Sequence, residues 1–168
     1  MARAAVRHLG RRSAAARLVA VAGVLAAGGG GAVAGAPGCA GTVYLTLDTG
    51  NMSQAETIAA ILNRHGVRAT FFLANEKTPR GDHALDDAWA GFWRARAAEG
   101  HAFGSHTFDH VYLRPPADGT AAVAVARPQF GERAGQAMAW DAAALCGEIA
   151  RVDARLRAIT GRGLDPLW

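Results

Sequence analysis

The chain has 168 residues, enough for one modest domain, and a formal net charge of +4. The basic excess sits in the first 38 residues, where Arg3, Arg7, Arg11, Arg12 and Arg17 stand without an acidic residue, so the remainder carries −1. A nucleic-acid partner argued from the pI of 9.8 is therefore excluded as a reading.

The arginines precede an apolar run from Leu18 to Leu25 and a small-residue site, Ala32-Val33-Ala34. This order predicts a secretory leader over residues 1–38, cleaved near Ala34, and a secreted or periplasmic mature protein starting near Gly35. The rival is a membrane anchor from Leu18 to Ala36, but six of those 19 residues are Gly, which disfavours a spanning helix. Membrane contact would then come only from an uncleaved leader or from lipid on Cys39, whose Ala36-Pro37-Gly38-Cys39 context lacks the usual leucine. Residues 39–168 can bury one core of limited size. The two cysteines, Cys39 and Cys146, suit a disulfide in an exported protein, worth ~4 kcal/mol in the chain-entropy model. The plainer reading of Cys146 is a small buried hydrophobe on a helix.

Thr42 to Leu47 reads as a buried strand, broken by Asp48-Thr49-Gly50-Asn51. Ser53 and Glu56 have capping-box spacing, ahead of a helical stripe of Ala55, Ile58, Ala59 and Leu62 that Arg64, His65 and Gly66 close. Val67 to Leu73 is a second apolar strand. After a polar loop, Asp86 to Glu99 predicts a helix with Trp89, Phe92 and Trp93 on one face, stopped by Gly100. His101 to Ser105 is a short third strand. Val111 to Ala139 shows no clear period and contains Pro115, Pro116 and Pro128, so it reads as a long loop beside the site. Asp141 to Thr160 is the best-defined helix, with Leu145, Ile149, Val152, Leu156 and Ile159 alternating at four and three. The order β-α-β-α-β-loop-α predicts an α/β fold with a parallel sheet and helices outside.

Ligands in such folds bind at the carboxyl ends of the strands. Asp48 lies there, and so do His106 and His110, four residues apart in His106-Thr107-Phe108-Asp109-His110. Four residues span one helical turn or one tight turn off a strand end, so both rings can face one point. Two neutral imidazoles converging in this way make a divalent metal site for Zn2+, Co2+ or Ni2+, and a nearby carboxylate completes the parts of a metal-assisted hydrolase.

Together these residues resemble the polysaccharide deacetylases, the NodB-homology or carbohydrate esterase family 4 group. Thr46-Leu47-Asp48-Thr49-Gly50 is similar to the family's opening Thr-Phe-Asp-Asp-Gly. Gly100-His101-Ala102-Phe103-Gly104-Ser105-His106-Thr107-Phe108-Asp109-His110 matches its second motif, and Val67-Arg68-Ala69-Thr70-Phe71-Phe72 its intervening strand. The resemblance implies an incomplete (β/α) barrel of about three βα units with parallel strands. It implies hydrolysis of N-acetyl amides on a glycan partner, with Asp48 as catalytic base and His106 and His110 as metal ligands, most readily of Zn2+. Two departures stand out. Thr49 replaces the family's second, metal-ligating aspartate, leaving a neutral hydroxyl able to ligate only weakly. The family's later motifs, which include the histidine acting as general acid, have no counterpart before Trp168. His101 and His65 do not replace it; they read as surface or capping histidines away from the rim. The expected behaviour is a marginally folded or self-associating chain, inactive as a deacetylase.

Three rivals are weighed by chemistry. A zincin protease lacks the Glu that should follow His106. An aspartic protease shares the hydrophobic-Asp-Thr-Gly loop at Leu47 to Gly50 but needs a second such aspartate in an all-β fold. A secreted carbohydrate-binding remnant keeps the groove and loses the chemistry.

Overall fold

The computed structural model describes residues 41–117, 119 and 124–167. The expected leader and Cys39, and with it the pairing to Cys146, lie outside the described residues. Three strands, β1 (Thr46–Asp48), β2 (Thr70–Leu73) and β3 (Ala102–Ser105), form a parallel sheet in the order β1-β2-β3. The crossovers are α1 (Ala55–His65) and a segment made of a 3-10 turn, Asp87–Trp89, running into α2 (Ala90–Ala98). A long α3 (Ala142–Thr160) follows. This is the α/β architecture with three parallel βα units that the element order predicts.

The register is continuous across the sheet: Asp48 pairs with Phe72, and Phe72 with Gly104. Because side chains alternate along a strand, these three share one face, while Leu47, Phe71, Leu73 and Phe103 point the other way. That second face is the core. Phe103 and Leu73 are fully buried, and Phe71 lies edge-on to Trp93 at 5.8 Å. Val152, Leu156 and Ile159 of α3 join the same cluster. Trp93 satisfies its indole N–H by donating to the Ala84 carbonyl at 2.7 Å, so the ring is buried without an orphan donor.

Local departures from the sequence reading have identifiable causes. The first strand is ordered as β only from Thr46, because β2 offers partners only from Thr70 onward; Val43 and Tyr44 are exposed before it. The Ser53/Glu56 capping box does not form. The Ser53 N–H instead takes the Asn51 side-chain oxygen at 3.0 Å, and α1 begins after Gln54 with no side-chain cap. Asp141 does cap α3, accepting the Ala144 N–H at 2.8 Å. On α3 the buried positions are Val152, Leu156, Ile159 and also Glu148, whereas Cys146 is exposed rather than a buried hydrophobe.

The largest correction concerns Val111 to Ala139, read as a loop. It holds a second sheet, antiparallel, of β4 (Val111–Arg114), β5 (Ala124–Pro128) and β6 (Met138–Trp140). The period-2 signal is short, and Ala and Arg carry it: Ala126 and Pro128 point inward while Val125 and Arg127 are exposed. Pro128 ends its strand, where a missing N–H costs little.

The outer edge of β3 is also not bare. The Asp165 N–H donates to the Phe103 carbonyl at 2.8 Å, and the Asp165 carboxylate accepts the Phe103 N–H at 2.9 Å. Among the described residues no helix is long and apolar enough to cross a membrane.

Candidate active site

The parallel ladder continues past the strand ends and fixes the height of the site residues. Thr49 N–H donates to the Phe72 carbonyl at 3.1 Å, and His106 N–H to the Leu73 carbonyl at 2.9 Å. Asp48 and His106 thereby meet on the carboxyl rim, with Asp48 Oδ2 3.8 Å from His106 Nε2. The rings of His106 and His110 lie 4.5 Å apart, centroid to centroid. All three residues line one open cavity of about 410 Å³, together with Ser105, Thr107 and Tyr112. Asp48, His106 and His110 thus lie together on one rim.

His106 to His110 form a tight turn, not a helical one. Thr107 is the buried pivot: its N–H donates to Ser105 Oγ at 3.1 Å, and its Oγ1 accepts the Val111 N–H at 2.6 Å. His110 N–H closes the turn on the Thr107 carbonyl at 3.3 Å. Thr107 and His110 both adopt positive φ, 59° and 50°, a region unfavourable for a β-branched threonine. Strain of this kind persists only where surrounding contacts over-determine it. Those contacts come from α3: Glu148 accepts the Asp109 N–H at 3.0 Å, and Arg151 bridges Glu148 and Asp109 at 2.6 and 2.7 Å while lying over the Phe108 ring.

Thr49 is turned toward the end of β2. Its buried hydroxyl donates to the Ala74 carbonyl at 3.2 Å and accepts the Ala74 N–H at 3.0 Å, so both functions are spent tying β1 to β2. Weak ligation through Thr49 would have to compete with these two hydrogen bonds.

His101 is not a surface or capping histidine. It is buried, its Nδ1 accepts the Ala69 N–H at 3.0 Å, and its Nε2 lies 3.4 Å from Glu99. Burial pushes its pKa below the ordinary histidine value, while the Arg96 guanidinium holds the Glu99 carboxyl down at about 2. His101 lies at the amino end of β3 and so stays away from the rim, as expected. His65, at the end of α1, is exposed.

One rim residue went unrecognised in the sequence. Glu76 follows β2, is buried, and its Oε1 lies 3.0 Å from His110 Nδ1. Its place just past a parallel strand end was the available signal. A larger cavity, about 610 Å³, lies behind the turn among Asp109, Glu148, Arg151 and Trp140, and contains none of Asp48, His106 or His110.

The donor set suits a divalent transition metal in kind: two imidazoles with a carboxylate beside them. Among the described residues no group of three His, Cys, Asp or Glu side chains is placed to hold a metal ion, whereas a catalytic zinc site usually has three protein ligands.

An α/β sheet bearing this constellation at its strand ends defines the class of protein. Residues 35–167 match the polysaccharide deacetylase family model, and the chain belongs to that family. No curated protein sequence matches the chain. Among solved structures it is similar in fold to the chitin deacetylase of the fungal pathogen Colletotrichum lindemuthianum, at 23% identity and TM-score 0.46, covering 70% of this chain and 40% of that one. It is similar to the Xyl-CE4 domain of a multidomain xylanase from the hindgut metagenome of Trinervitermes trinervoides, at 18% identity and TM-score 0.46, covering 73% and 44%. The family 4 carbohydrate esterase PdaA of Bacillus subtilis matches at 21% identity and TM-score 0.42, covering 74% and 39%. The chain thus spans less than half the length of each of these structures. The aspartic-protease rival required an all-β fold, and the sheet that carries Asp48 is parallel with helical crossovers.

Proposed function

We propose that the chain carries the base and metal-binding half of a hydrolase that removes N-acetyl groups from an extracellular or cell-wall polysaccharide. The observation that carries this reading is the convergence of Asp48, His106 and His110 on one rim cavity. His106 and His110 would hold a divalent cation, Zn2+ in preference to Co2+ or Ni2+. When bound, it supplies Lewis-acid polarisation of the amide carbonyl and lowers the pKa of water. Asp48, largely exposed at the cavity mouth, would take the proton of the attacking water. Export rests on the leader pattern of residues 1–38.

Collapse of the tetrahedral intermediate needs a proton on the departing nitrogen. Among the described residues the cavity is lined by no carboxylate or histidine beyond Asp48, His106 and His110. With Thr49 spent on Ala74 as well, the chain by itself binds zinc weakly and turns over poorly or not at all. The same observation on Thr49 favours a second reading, a secreted carbohydrate-binding remnant that keeps the groove without the chemistry.

The test pairs zinc calorimetry with acetate release from an N-acetylglucosamine oligomer. Weak zinc binding lost in His106→Ala supports the metal site, and wild-type zinc affinity in that variant rejects it. Metal-dependent acetate release abolished by Asp48→Asn would establish activity in this chain. Oligomer binding without acetate release would favour the remnant.

A further inference from the structure

We propose that Glu76 is the positioning residue for His110, fixing which ring nitrogen carries the proton and so which one faces the cavity. This inference rests on the metal-site reading above. Glu76 is a carboxylate only 8% exposed, on the loop just after β2, with Oε1 3.0 Å from His110 Nδ1. A buried carboxylate is costly unless a donor meets it. The imidazole Nδ1 is the donor that stands nearest, and a proton held there by the carboxylate leaves the Nε2 lone pair for a ligand. Histidines that bind metals commonly donate their second ring N–H to a carboxylate or carbonyl, which locks the ring and raises its basicity.

The backbone around Glu76 is built to hold it there. Its carbonyl accepts the Ala84 N–H at 2.8 Å, and the neighbouring Asn75 is held twice: its N–H donates to the Phe108 carbonyl at 2.7 Å, and its side-chain oxygen accepts the Leu85 N–H at 3.0 Å. The Phe108 contact joins this loop directly to the His106–His110 turn, so the carboxylate and the ring are set by one local framework. On the ring's other sides stand Tyr112, Phe130 and His106, at centroid distances of 5.4, 6.1 and 4.5 Å. Glu76 also restores negative charge beside the imidazoles where Thr49 contributes none, acting through His110 instead of on the cation directly.

The experiment uses the full chain with 15N-labelled histidine. Long-range proton–nitrogen correlation spectra without metal report the His110 tautomer, and zinc titration reports affinity. The wild type is expected to carry the His110 proton on Nδ1. Glu76→Gln keeps an oxygen acceptor and should retain that tautomer with a smaller loss of affinity. Glu76→Leu should shift the proton toward Nε2 and weaken zinc binding roughly 10- to 100-fold. A wild-type proton on Nε2 overturns the proposal, as does a folded Glu76→Leu chain with unchanged tautomer and affinity. If zinc does not bind the wild type, the metal-site reading fails, while the tautomer spectra still decide the pairing of Glu76 with His110.

Discussion

The carboxylate of Glu148 on α3 accepts the backbone N–H of Asp109 at 3.0 Å, in the middle of the turn that carries both site histidines. A helix far along the chain therefore braces a backbone segment that holds two non-glycine residues at positive φ. The bracing is polar and mostly out of water, since Glu148 is buried. Substituting Glu148→Ala leaves the Asp109 N–H unpaired and removes one of the two carboxylates that Arg151 bridges. The expected cost is about 1–3 kcal/mol in urea unfolding, with broadened amide signals from Thr107 to His110. A midpoint equal to that of wild type would show that the turn holds itself.

Thr49 divides a structural role from a ligand role. In Thr49→Val the shape is kept, but the Ala74 N–H and carbonyl lose their shared partner. Stability should fall by about 1–3 kcal/mol while zinc affinity stays the same. Calorimetry finding the reverse, weaker zinc binding at undiminished stability, would return Thr49 to the ligand set.

Gly104 is required by a close approach, not by its backbone angle. A methyl group there would meet the Phe72 ring at 2.5 and 2.6 Å and the Leu167 carbonyl at 3.2 Å. Gly104→Ala should destabilise by about 1–3 kcal/mol through forced repacking beside Asp48. Combining it with Phe72→Leu should recover part of that loss, because the obstructing ring edge is gone. Additive losses in the double variant would place the strain at the Leu167 carbonyl instead.

The His101 cluster makes the fold acid-sensitive. The His101 pKa is lowered in the folded state mainly by burial, so the unfolded chain binds that proton more readily. Stability from this group is present above the ordinary histidine value and is lost as pH falls below it. Protonation of Nδ1 also abolishes the hydrogen bond from Ala69. Glu99, held at about 2 chiefly by Arg96, contributes stability above the ordinary glutamate range that is lost as pH falls toward 2. Unfolding midpoints measured from pH 8 to 2 should decline in two stages, and His101→Gln should flatten the one nearer neutrality. The same decline in that variant would assign the acid sensitivity elsewhere.

Strand ends, helix stops and the site trio were legible because each depends on short-range patterns. Gly66 adopts the left-handed conformation that ends α1, and Gly100 does so after α2. Asp48, His106 and His110 were legible because the rim of a parallel sheet gathers whatever follows its strands. The β4–β5–β6 sheet was not. β4 buries none of its residues, β5 only Ala126 and Pro128, and β6 only Trp140, so the alternation gives little contrast between the two faces. The capping box at Ser53 failed because Asn51, two residues earlier, competes for the same N–H.

By itself the sequence determined the α/β class, the parallel order, and that Asp48, His106 and His110 lie at the strand ends of one rim. These follow from periodicity and from residues adjacent to strand ends, information carried within a few positions. Only the tertiary structure decided that Thr49 is turned to Ala74, that His101 is a buried neutral acceptor, and that Glu76 and Glu148 support the histidine turn. Each of those roles depends on a partner 25 to 39 residues away, between Thr49 and Ala74, Ala69 and His101, Glu76 and His110, or Asp109 and Glu148. A carboxylate or hydroxyl has the same local signature whether it ends in water or against a backbone N–H. Packing alone chooses between them.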